Sequence, residues 1–517
     1  MEYEVVIAGG GPVGLMLACE LRLQGVTTLV LERLAQPDAT IKAGGITIPA
    51  AEALYRRGFS GALAEVRQRM LDLFLSRPGM PKPGSGELAA LQQRMKKIGG
   101  HFGGLFKLDP TRLDPADPDL RFNETAAITM VPQYDLELIL NERALAWGAQ
   151  VRRECELTGF EQDETGVIVE LADGNRIRAG YLIGCDGGRS TVRRIAGFDF
   201  PGTDPTITGH QALVKLDDPD KLPKGWNRTP VGMLVSGPVP GRILTVEFDG
   251  PPADRDAPIT LEELQTSLRH VSGTDVTIEE VHSATRFTDN ARQASTYRLG
   301  RVLLAGDAAH VHSPFGGQGL NLGLVDAVNL GWKLAATIAG WAPEGLLDTY
   351  TEERHPIGAR VLEITRAQVA LMRPGPLTSA LRDVVSDLMD TDDGNAYFVK
   401  MIGGVEQRYQ LGGTHPLAGK RTPDFELGDG SWVGEHFLDG KTVLFDFADS
   451  AELRETVAPL ADRVTVVSLP GKEIAAMLVR PDGYVAWATD DAGDLDGLAD
   501  ALARWVGTPG LVSVAAG

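Results

Sequence analysis

The first 33 residues constrain the fold of this chain more than any other stretch. A short apolar run over residues 4–7 has the length of a buried parallel strand, and glycines at positions 9, 11 and 14 follow it in the pattern G-x-G-x-x-G. A helical segment begins at Leu15, and a second strand over residues 28–31 ends at the acid Glu32. This order of strand, glycine turn, helix, strand and acid predicts a dinucleotide-binding βαβ unit.

Each part of the predicted unit has a mechanical role. Gly9 allows a tight turn, Gly11 lets the backbone approach a pyrophosphate, and Gly14 lets the helix pack closely on the strand. Free N–H groups at the start of the helix favour a negatively charged group. Glu32 is placed to accept a hydrogen bond from a ribose hydroxyl. The unit alone is compatible with both NAD and FAD.

Composition restricts the class of protein. A chain of 517 residues is too long for one core, so two or three domains are expected. The net charge of −20 argues against nucleic acid and anionic membranes as partners. The three cysteines lack metal-ligand and C-x-x-C spacings, and no apolar run approaches the about twenty residues that span a bilayer. We therefore expect a reduced, cytoplasmic protein with no membrane and no nucleic acid partner.

Two later stretches repeat the pattern of an apolar strand that ends in a glycine–acid turn. The first is Cys185-Asp186-Gly187, followed by a helix that carries arginines. The second is Gly306-Asp307, followed by a glycine-rich loop over residues 313–321 that opens another helix. Such a loop lets the backbone come close to a flat or anionic ligand.

These stretches in combination resemble the flavoprotein aromatic hydroxylases typified by para-hydroxybenzoate hydroxylase. The segments 184–194, 320–323, 326–334 and 479–487 are similar to the branch that tailors aromatic polyketides, which includes angucycline and tetracycline hydroxylases and rifampicin monooxygenase. The resemblance covers essentially the whole chain. One departure is Pro49, which stands where these enzymes usually carry an arginine.

The resemblance implies an α/β fold in three parts. A Rossmann-like FAD-binding domain would comprise residues 1–180 and 285–395, with a Pro/Gly-rich insertion at about 76–119 that contains one helix near 88–98. A mostly antiparallel β-sheet over 190–284 would bind the substrate. Residues 410–517 would form a thioredoxin-like α/β domain without redox cysteines, and the absence of any cysteine after Cys185 agrees with this.

The resemblance also assigns residues to FAD. Pro314, Gly316 and Gly317 would border the isoalloxazine, whereas no substrate base is assigned. The residues expected to bind FAD are Gly9, Gly11, Pro12, Gly14, Glu32, Arg33, Lys42, Gln133, Asp186, Asp307, Pro314, Gly317, Gly319, Leu320 and Asn321.

The implied activity is that of a single-component monooxygenase using FAD and NADPH or NADH. It would insert one oxygen atom from O2 into a polycyclic aromatic polyketide through a flavin C4a-hydroperoxide, with ring hydroxylation as the expected outcome. Baeyer–Villiger oxygenation, inactivation of an antibiotic and a non-catalytic ligand carrier remain alternatives. A monomer and a homodimer are both compatible with the sequence.

Other polar side chains are predicted to have more ordinary roles. His101, His210 and Tyr134 are predicted to be structural or surface residues. The pair His310 and His312 lacks a third ligand at useful spacing, so no metal site is predicted. Two further residues, Arg189 and Arg193, are compatible either with NAD(P)H phosphates or with ion pairs on a helix surface.

Overall fold

The computed structural model describes residues 2–76, 100–120, 129–237, 239–255, 257–469 and 474–508, together with Gly86. The helix predicted near 88–98 lies outside the described residues. Within them the chain has a mixed α/β fold built from three larger sheets and several short ones.

The strands of the described residues, in chain order, are β1 (Tyr3–Ala8), β2 (Thr28–Leu31), β3 (Gly45–Ile46), β4 (His101–Phe102), β5 (Phe106–Lys107), β6 (Thr129–Met130), β7 (Gln150–Arg152), β8 (Leu157–Asp163), β9 (Gly166–Leu171), β10 (Arg176–Gly184), β11 (Gly202–Thr203), β12 (Thr208–Leu216), β13 (Gly225–Arg228), β14 (Gly232–Ser236), β15 (Arg242–Glu247), β16 (Ile278–Phe287), β17 (Ala291–Gln293), β18 (Arg298–Leu299), β19 (Val302–Leu304), β20 (His310–Val311), β21 (Thr442–Asp446), β22 (Val464–Ser468), β23 (Ala476–Val479) and β24 (Val485–Thr489).

The α-helices of the same residues are α1 (Pro12–Leu23), α2 (Ile48–Arg56), α3 (Ser60–Leu75), α4 (Gln133–Ala146), α5 (Thr191–Ala196), α6 (Leu261–Ser272), α7 (Gln318–Ile338), α8 (Thr349–Met372), α9 (Pro376–Met389), α10 (Asp392–Gly403), α11 (Ala451–Val457) and α12 (Leu498–Trp505).

The central sheet has the order β18-β19-β10-β1-β2-β7, with β9 and β8 continuing from β10. Strands β19, β10, β1, β2 and β7 are parallel to their neighbours in this order. Their side chains are mostly buried, because α1 and α7 pack together over the sheet. The carboxyl ends of these parallel strands therefore lie along one edge of the sheet.

The second sheet is antiparallel, in the order β13-β14-β15-β12-β16. One face buries apolar side chains against α6, among them Leu264 and Leu268. The opposite face packs on Phe315 and on the end of α8 at Val369 and Met372. This second face therefore looks towards the glycine-rich loop that precedes α7.

The C-terminal part, here called the tail, covers residues 405–508. Its sheet has the order β22-β21-β23-β24, in which only β21 and β22 run parallel. One side of this sheet packs on α11 and α12 and also on Trp332 of α7. The tail thus shares a hydrophobic core with the helix that begins at the glycine-rich loop.

The chain passes from strand to helix around Pro132. The apolar run over residues 128–133 predicts a strand followed by a helix from Leu136, but the described strand ends at Met130 and α4 already begins at Gln133. Proline fixes φ at a helical value and has no N–H to donate, so a helix can start directly after it.

Buried charged side chains join the tail to the helices α7 and α8. Arg480 of the tail is fully buried and donates to both carboxylate oxygens of Glu353, each at 2.7 Å. Glu353 also accepts from Lys333 at 2.8 Å, and Asp482 pairs with Arg480 on the other side. Burial lowers the pKa of Lys333 to about 8 despite the neighbouring Glu353. The interface is therefore a compensated ion cluster in a dry environment.

Arg480→Ala is expected to destabilise the protein strongly, because it leaves the buried carboxylate of Asp482 without its cation and that of Glu353 with Lys333 alone. The expected loss of unfolding free energy in urea is about 3–5 kcal/mol. Arg504→Ala is the matched control, since Arg504 also lies over the Trp505 ring but is exposed. Equal losses in the two variants would contradict the role given to the buried cluster.

Candidate functional site

Three loops that are far apart in the sequence meet at the carboxyl edge of the central sheet. They follow β1, β10 and β19, which are adjacent and parallel. The Cys185 amide donates to the Ala8 carbonyl at 2.8 Å, and the Ala305 amide donates to the Gly184 carbonyl at 3.0 Å. Ligands of open parallel sheets bind in the crevice outside this edge. The fold therefore places the three predicted stretches in one site.

The glycine motif is shaped by close backbone contacts and by one open position. Gly9 has φ +107°, and a Cβ there would lie 2.3 Å from the Cys185 carbonyl oxygen. A Cβ on Gly14 would lie 2.0 Å from the Gly9 oxygen. A Cβ on Gly11 would meet nothing within 4 Å. The fold thus requires glycine at positions 9 and 14, whereas Gly11 borders open space at the start of α1.

The start of α1 provides donors for an anion. Gly11 is the N-cap residue and offers no side chain to the free amides of the first turn, which begins at Pro12. An uncapped helix N-terminus with open space in front of it is a suitable cradle for a pyrophosphate. The residues present therefore fit a dinucleotide.

Glu32 is held at the end of β2 by two backbone amides. Its Oε2 accepts from Gly10 at 2.7 Å and its Oε1 accepts from Leu34 at 2.8 Å. Both oxygens keep a lone pair that can accept from a ribose diol. The neighbouring Arg33 side chain is exposed, and Lys42 pairs with Asp38 of its own loop at 2.9 Å.

Asn321 connects the loop after β2 to the first turn of α7. Its Oδ1 accepts from the Thr47 amide at 2.8 Å, and its Nδ2 donates to the Gly45 and Gly317 carbonyls. The Gln133 amide in turn donates to the Ala43 carbonyl at 2.9 Å. The fold therefore brings residues 42–47, Gln133 and Asn321 into one region, as the predicted FAD site requires.

The N-terminus of α7 is also uncapped. Gly317 is its N-cap residue with φ +63°, and Gly316 before it has φ +84°. The predicted residues Gly319 and Leu320 supply free amides of the first turn, and Pro314 is exposed beside them. A second helix end thus points its partial positive charge into the site.

Asp307 and His312 lie next to this helix end. A Cβ on Gly319 would lie 3.6 Å from Asp307 Oδ1 and 3.5 Å from His312 Nε2. The His312 Nδ1 donates to the Ser313 carbonyl at 2.8 Å, and burial lowers the pKa of the ring. Its Nε2 is therefore an acceptor, and it is buried with no partner among the described residues. The sequence does not reveal this group, because the pair His310 and His312 indicates at most a metal ligand and the burial of Nε2 depends on the fold.

Asp186 has a structural role that the sequence did not reveal. Its Oδ2 accepts from the amides of Thr191 and Val192 at 2.7 and 3.1 Å and so caps α5. Its Oδ1 is buried and has no partner in the described part of the chain. Contact of Asp186 with the cofactor stays a prediction. Of the two carboxylate oxygens, Oδ1 is the one left to make it.

Arg193 differs from both sequence-based alternatives. It is buried, donates to the carbonyls of Ala308 and Gly188, and lies 3.8 Å from the Phe200 ring centroid. Within the described residues the Arg193 side chain forms no ion pair on the helix surface, and its burial leaves it closed to a nucleotide phosphate. It braces the loop after β19 against the loop after β10. Arg189 is exposed on the same turn.

The remaining histidines make local contacts. His210 bonds to Glu263 at 2.8 Å, and His101 Nδ1 accepts from the Gly104 amide at 2.9 Å. The buried ring of His310 bonds to Asp326, and Tyr134 is exposed. The searched residues contain no group of three side chains able to hold a metal ion.

Arg242 on the inner face of the second sheet was not found from the sequence. Its Nη2 donates to Gln211 Oε1 at 3.3 Å, and Gln211 donates to the Ile41 carbonyl at 2.7 Å. The Arg242 Nε is buried with no partner among the described residues, and burial without a counter-charge lowers the pKa of the guanidinium. An unpaired, partly buried cation beside the loop after β2 is a candidate for binding an anionic oxygen.

Pro49 lies buried in the first turn of α2, where its missing N–H costs no hydrogen bond. A Cβ on Gly404 would lie 3.3 Å from its ring. The position therefore faces the end of α10. In the part of the chain that was searched, no helix is long and apolar enough to cross a membrane.

Comparison with known proteins identifies similar chains along the full length. A model of the FAD binding domain matches residues 2–365, and a model of the aromatic-ring hydroxylase C-terminal region matches residues 415–509. The 12-dehydrotetracycline 5-monooxygenase/anhydrotetracycline 6-monooxygenase of Streptomyces rimosus is 41% identical over 540 residues, covering 99% of this chain and 100% of the relative.

Two further comparisons agree with these matches. Rifampicin monooxygenase of Streptomyces venezuelae is 40% identical over 506 residues, covering 95% of this chain and 97% of the relative. The solved structure of anhydrotetracycline hydroxylase from Streptomyces rimosus superposes with a TM-score of 0.85 at 40% identity, covering 98% and 100% of the two chains.

Gly11→Ala is expected to fold normally but to bind FAD at least about tenfold more weakly, because the methyl group would enter the open space that the glycine motif predicts for the pyrophosphate. Fluorescence titration of the apoprotein with FAD measures this. Gly61→Ala is the control, since a Cβ there also meets nothing within 4 Å but lies on exposed α3. Unchanged FAD affinity in Gly11→Ala would contradict the position of the cradle.

Glu137, which lies near Glu32, makes the stability of the protein depend on pH. Burial raises its pKa to about 7, with Glu32 adding to the shift and Arg153 opposing it. The folded state then binds a proton that the unfolded state releases near its ordinary pKa, so stability falls as pH rises from about 4.5 to 7. Glu137→Gln should therefore gain about 1–3 kcal/mol relative to the parent between pH 5 and pH 8 in urea unfolding. A pH-independent difference would contradict this environment.

Proposed function

The chain belongs to the FAD-dependent aromatic-ring hydroxylases, and on that premise we propose that it hydroxylates a ring of a polycyclic phenolic polyketide. It is an FAD-dependent monooxygenase similar over its full length to enzymes named for tetracycline and rifampicin. The observation that carries the proposal is the meeting of two uncapped helix ends, α1 and α7, at the carboxyl edge of the central sheet, below the inner face of the second sheet.

The proposed FAD site runs along this edge. The start of α1 would hold the pyrophosphate, Glu32 the adenosine ribose and Asp307 the ribityl chain. The start of α7 and the loop around residues 44–47 would border the ring system, with Asn321 fixing these two segments together. When bound, FAD supplies the transfer of electrons from NADPH or NADH and the activation of O2.

The N-terminus of α7 has an electrostatic role in this proposal. Its free amides and its dipole favour negative charge on the edge of the ring that they face. The neutral His312 adds a hydrogen-bond acceptor beside these donors, which would receive a donor group of the cofactor. The start of α7 would therefore hold an anionic part of the cofactor with fixed groups that need no reorganisation.

The inner face of the second sheet is proposed to receive the substrate. Its apolar part contains Trp226 and Phe287, whose rings approach Phe315 of the glycine-rich loop at 6.1 and 5.8 Å. Its polar part contains Gln211 and Arg242. A polycyclic phenol could place its rings towards the first part and an ionised oxygen at the guanidinium of Arg242.

This placement has a chemical consequence. A cation beside a phenol stabilises the phenolate and lowers the pKa of the hydroxyl. A phenolate ring is more electron-rich than the neutral phenol and is therefore a better acceptor of an electrophilic oxygen. Arg242 is thus proposed to favour the reactive form of the substrate, and no side chain of the chain is assigned as a general base.

The domain boundaries complete the proposal. Residues 1–180 and 285–395 are proposed as the FAD-binding domain, 190–284 as the substrate domain and 410–517 as a thioredoxin-like domain. The order of the strands β21 to β24 with α11 and α12 supports the last assignment. A homodimer and a monomer are both compatible with this arrangement.

Stopped-flow absorbance tests the proposed reaction. Anhydrotetracycline serves as the probe substrate, because a relative that is 41% identical is named for it. We expect NADPH or NADH to reduce the bound flavin faster with the probe than without it, and the product to keep the carbon skeleton of the probe with one added hydroxyl. A ring-expanded product would instead support Baeyer–Villiger oxygenation, and absence of flavin reduction with every tested phenol would reject the oxygenase.

Arg242→Gln is expected to raise the KM for the probe substrate about 10- to 100-fold, because it removes a charge-assisted hydrogen bond to the substrate oxygen. The KM for NADPH should stay unchanged. Arg228→Gln on the same sheet is the control, since that side chain is exposed. Equal effects of the two substitutions would contradict the proposed contact.

A further inference from the structure

Asp326 of α7 lies at the centre of a buried cluster behind the proposed flavin site. The carboxylate is fully buried. Its Oδ2 accepts from the Gly306 amide at 3.1 Å and from His310 Nε2 at 2.8 Å, and its Oδ1 accepts from Arg354 Nε at 2.7 Å. Burial alone would raise the pKa of Asp326, but Arg354 and His310 hold it below the usual range.

The contact with Gly306 connects this cluster to the site. Gly306 has φ +62° and begins the turn that presents Asp307 at the carboxyl edge. A Cβ on Gly306 would lie 3.0 Å from Val13 of α1. A change in the position of Gly306 therefore affects both Asp307 and the start of α1, the two places where the cofactor is proposed to bind.

Arg354 of α8 connects Asp326 to the tail. It is fully buried, and its Nη2 donates to the Leu322 carbonyl at 3.1 Å. Its Nη1 donates to the Tyr409 hydroxyl at 3.0 Å. The planar guanidinium thus has three acceptors in three directions, of which one belongs to the tail.

The position of Tyr409 is set within the tail. Its amide donates to the Gly419 carbonyl at 2.8 Å, and its ring stacks on that of Tyr484 with centroids 4.0 Å apart. The backbone of Tyr484 forms an isolated antiparallel β-bridge with that of Arg421. Both tyrosines are almost completely buried, so neither can exchange its contacts for water.

We propose that Arg354 and Tyr409 are positioning residues through which the tail sets the geometry of the Gly306–Asp307 turn and, with it, the affinity for FAD. The inference rests on the FAD site proposed above. The route runs from the Tyr409 hydroxyl to Arg354, then to the carboxylate of Asp326 and to the Gly306 amide. Each step is a direct hydrogen bond between buried groups, where the low dielectric makes such bonds strong.

This role differs from that of the Arg480 cluster. The cluster of Arg480, Glu353 and Lys333 holds the tail on the helices, and among the described residues it makes no hydrogen bond to the turn after β19. Tyr409 and Arg354 add a path from the tail to that turn. The tail would therefore contribute to the site even though it contains no residue of the carboxyl edge.

The stacked tyrosines provide a matched pair of variants. Tyr409→Phe removes the hydroxyl that accepts from Arg354. Tyr484→Phe removes a buried hydroxyl of the same stack that lies beside Tyr409 and makes no hydrogen bond to Arg354 among the described residues. Each substitution removes one oxygen atom and preserves the aromatic contact, so the two variants differ chiefly in the bond to Arg354.

The measurement is titration of each full-length apoprotein with FAD, together with the visible spectrum of the bound flavin. We expect Tyr409→Phe to raise the FAD dissociation constant about three- to tenfold, the size of one hydrogen bond to a charged group transmitted in part, and to shift the spectrum. The Tyr484→Phe variant should bind like the parent. A loss of stability alone would lower the melting temperature and leave both flavin readouts unchanged.

Arg354→Lys gives a second reading of the same path. It keeps the charge beside Asp326 but cannot reach Leu322, Tyr409 and Asp326 together, so its FAD affinity should fall at least as far as that of Tyr409→Phe. Equal FAD affinity in the parent, Tyr409→Phe and Tyr484→Phe would overturn the inference. Failure of the parent itself to bind FAD would instead overturn the proposed function on which the inference rests.

Discussion

The close approach of the β1 and β10 loops is the constraint on which the site depends. A Cβ on Gly9 would lie 2.3 Å from the Cys185 carbonyl oxygen, and a Cβ on Gly14 would lie 2.0 Å from the Gly9 oxygen, so no larger residue fits at either position without moving a strand. Because the two strands can approach, the start of α1 points at the carboxyl edge, and β19 with its Gly306–Asp307 turn follows on the other side of β10. The site is therefore a consequence of sheet order and of two missing side chains.

Buried charge is the second organising feature. Around α7 and α8 the charged side chains are paired almost completely, as in Arg480 with Glu353 and Arg354 with Asp326. At the site itself this compensation stops. Arg242 has no carboxylate partner among the described residues, and the buried His312 Nε2 and Asp186 Oδ1 have no hydrogen-bond partner there. These unpaired groups lie at the carboxyl edge and on the inner face of the second sheet, where a ligand would complete them.

Local patterns could be predicted from the sequence, and long-range pairings could not. The glycine motif, Glu32 and the helix after residues 313–317 depend on short segments, and the chain's family is shown by the comparisons. The capping role of Asp186 and the buried position of Arg193 depend on which loops become neighbours, which no spacing reveals. Arg242 carries no motif at all, so only its burial without a partner identifies it. The assignment of individual residues to FAD stays a prediction.

The central claim is that this chain couples NAD(P)H oxidation to insertion of one oxygen atom into an aromatic polyketide. The most direct measurement is mass spectrometry of the product formed from anhydrotetracycline under 18O2, with NADPH consumption followed in the same reaction. The account predicts one labelled oxygen in the product for each NADPH consumed. A product without the label, or conversion without consumption of NADPH or NADH, would contradict it.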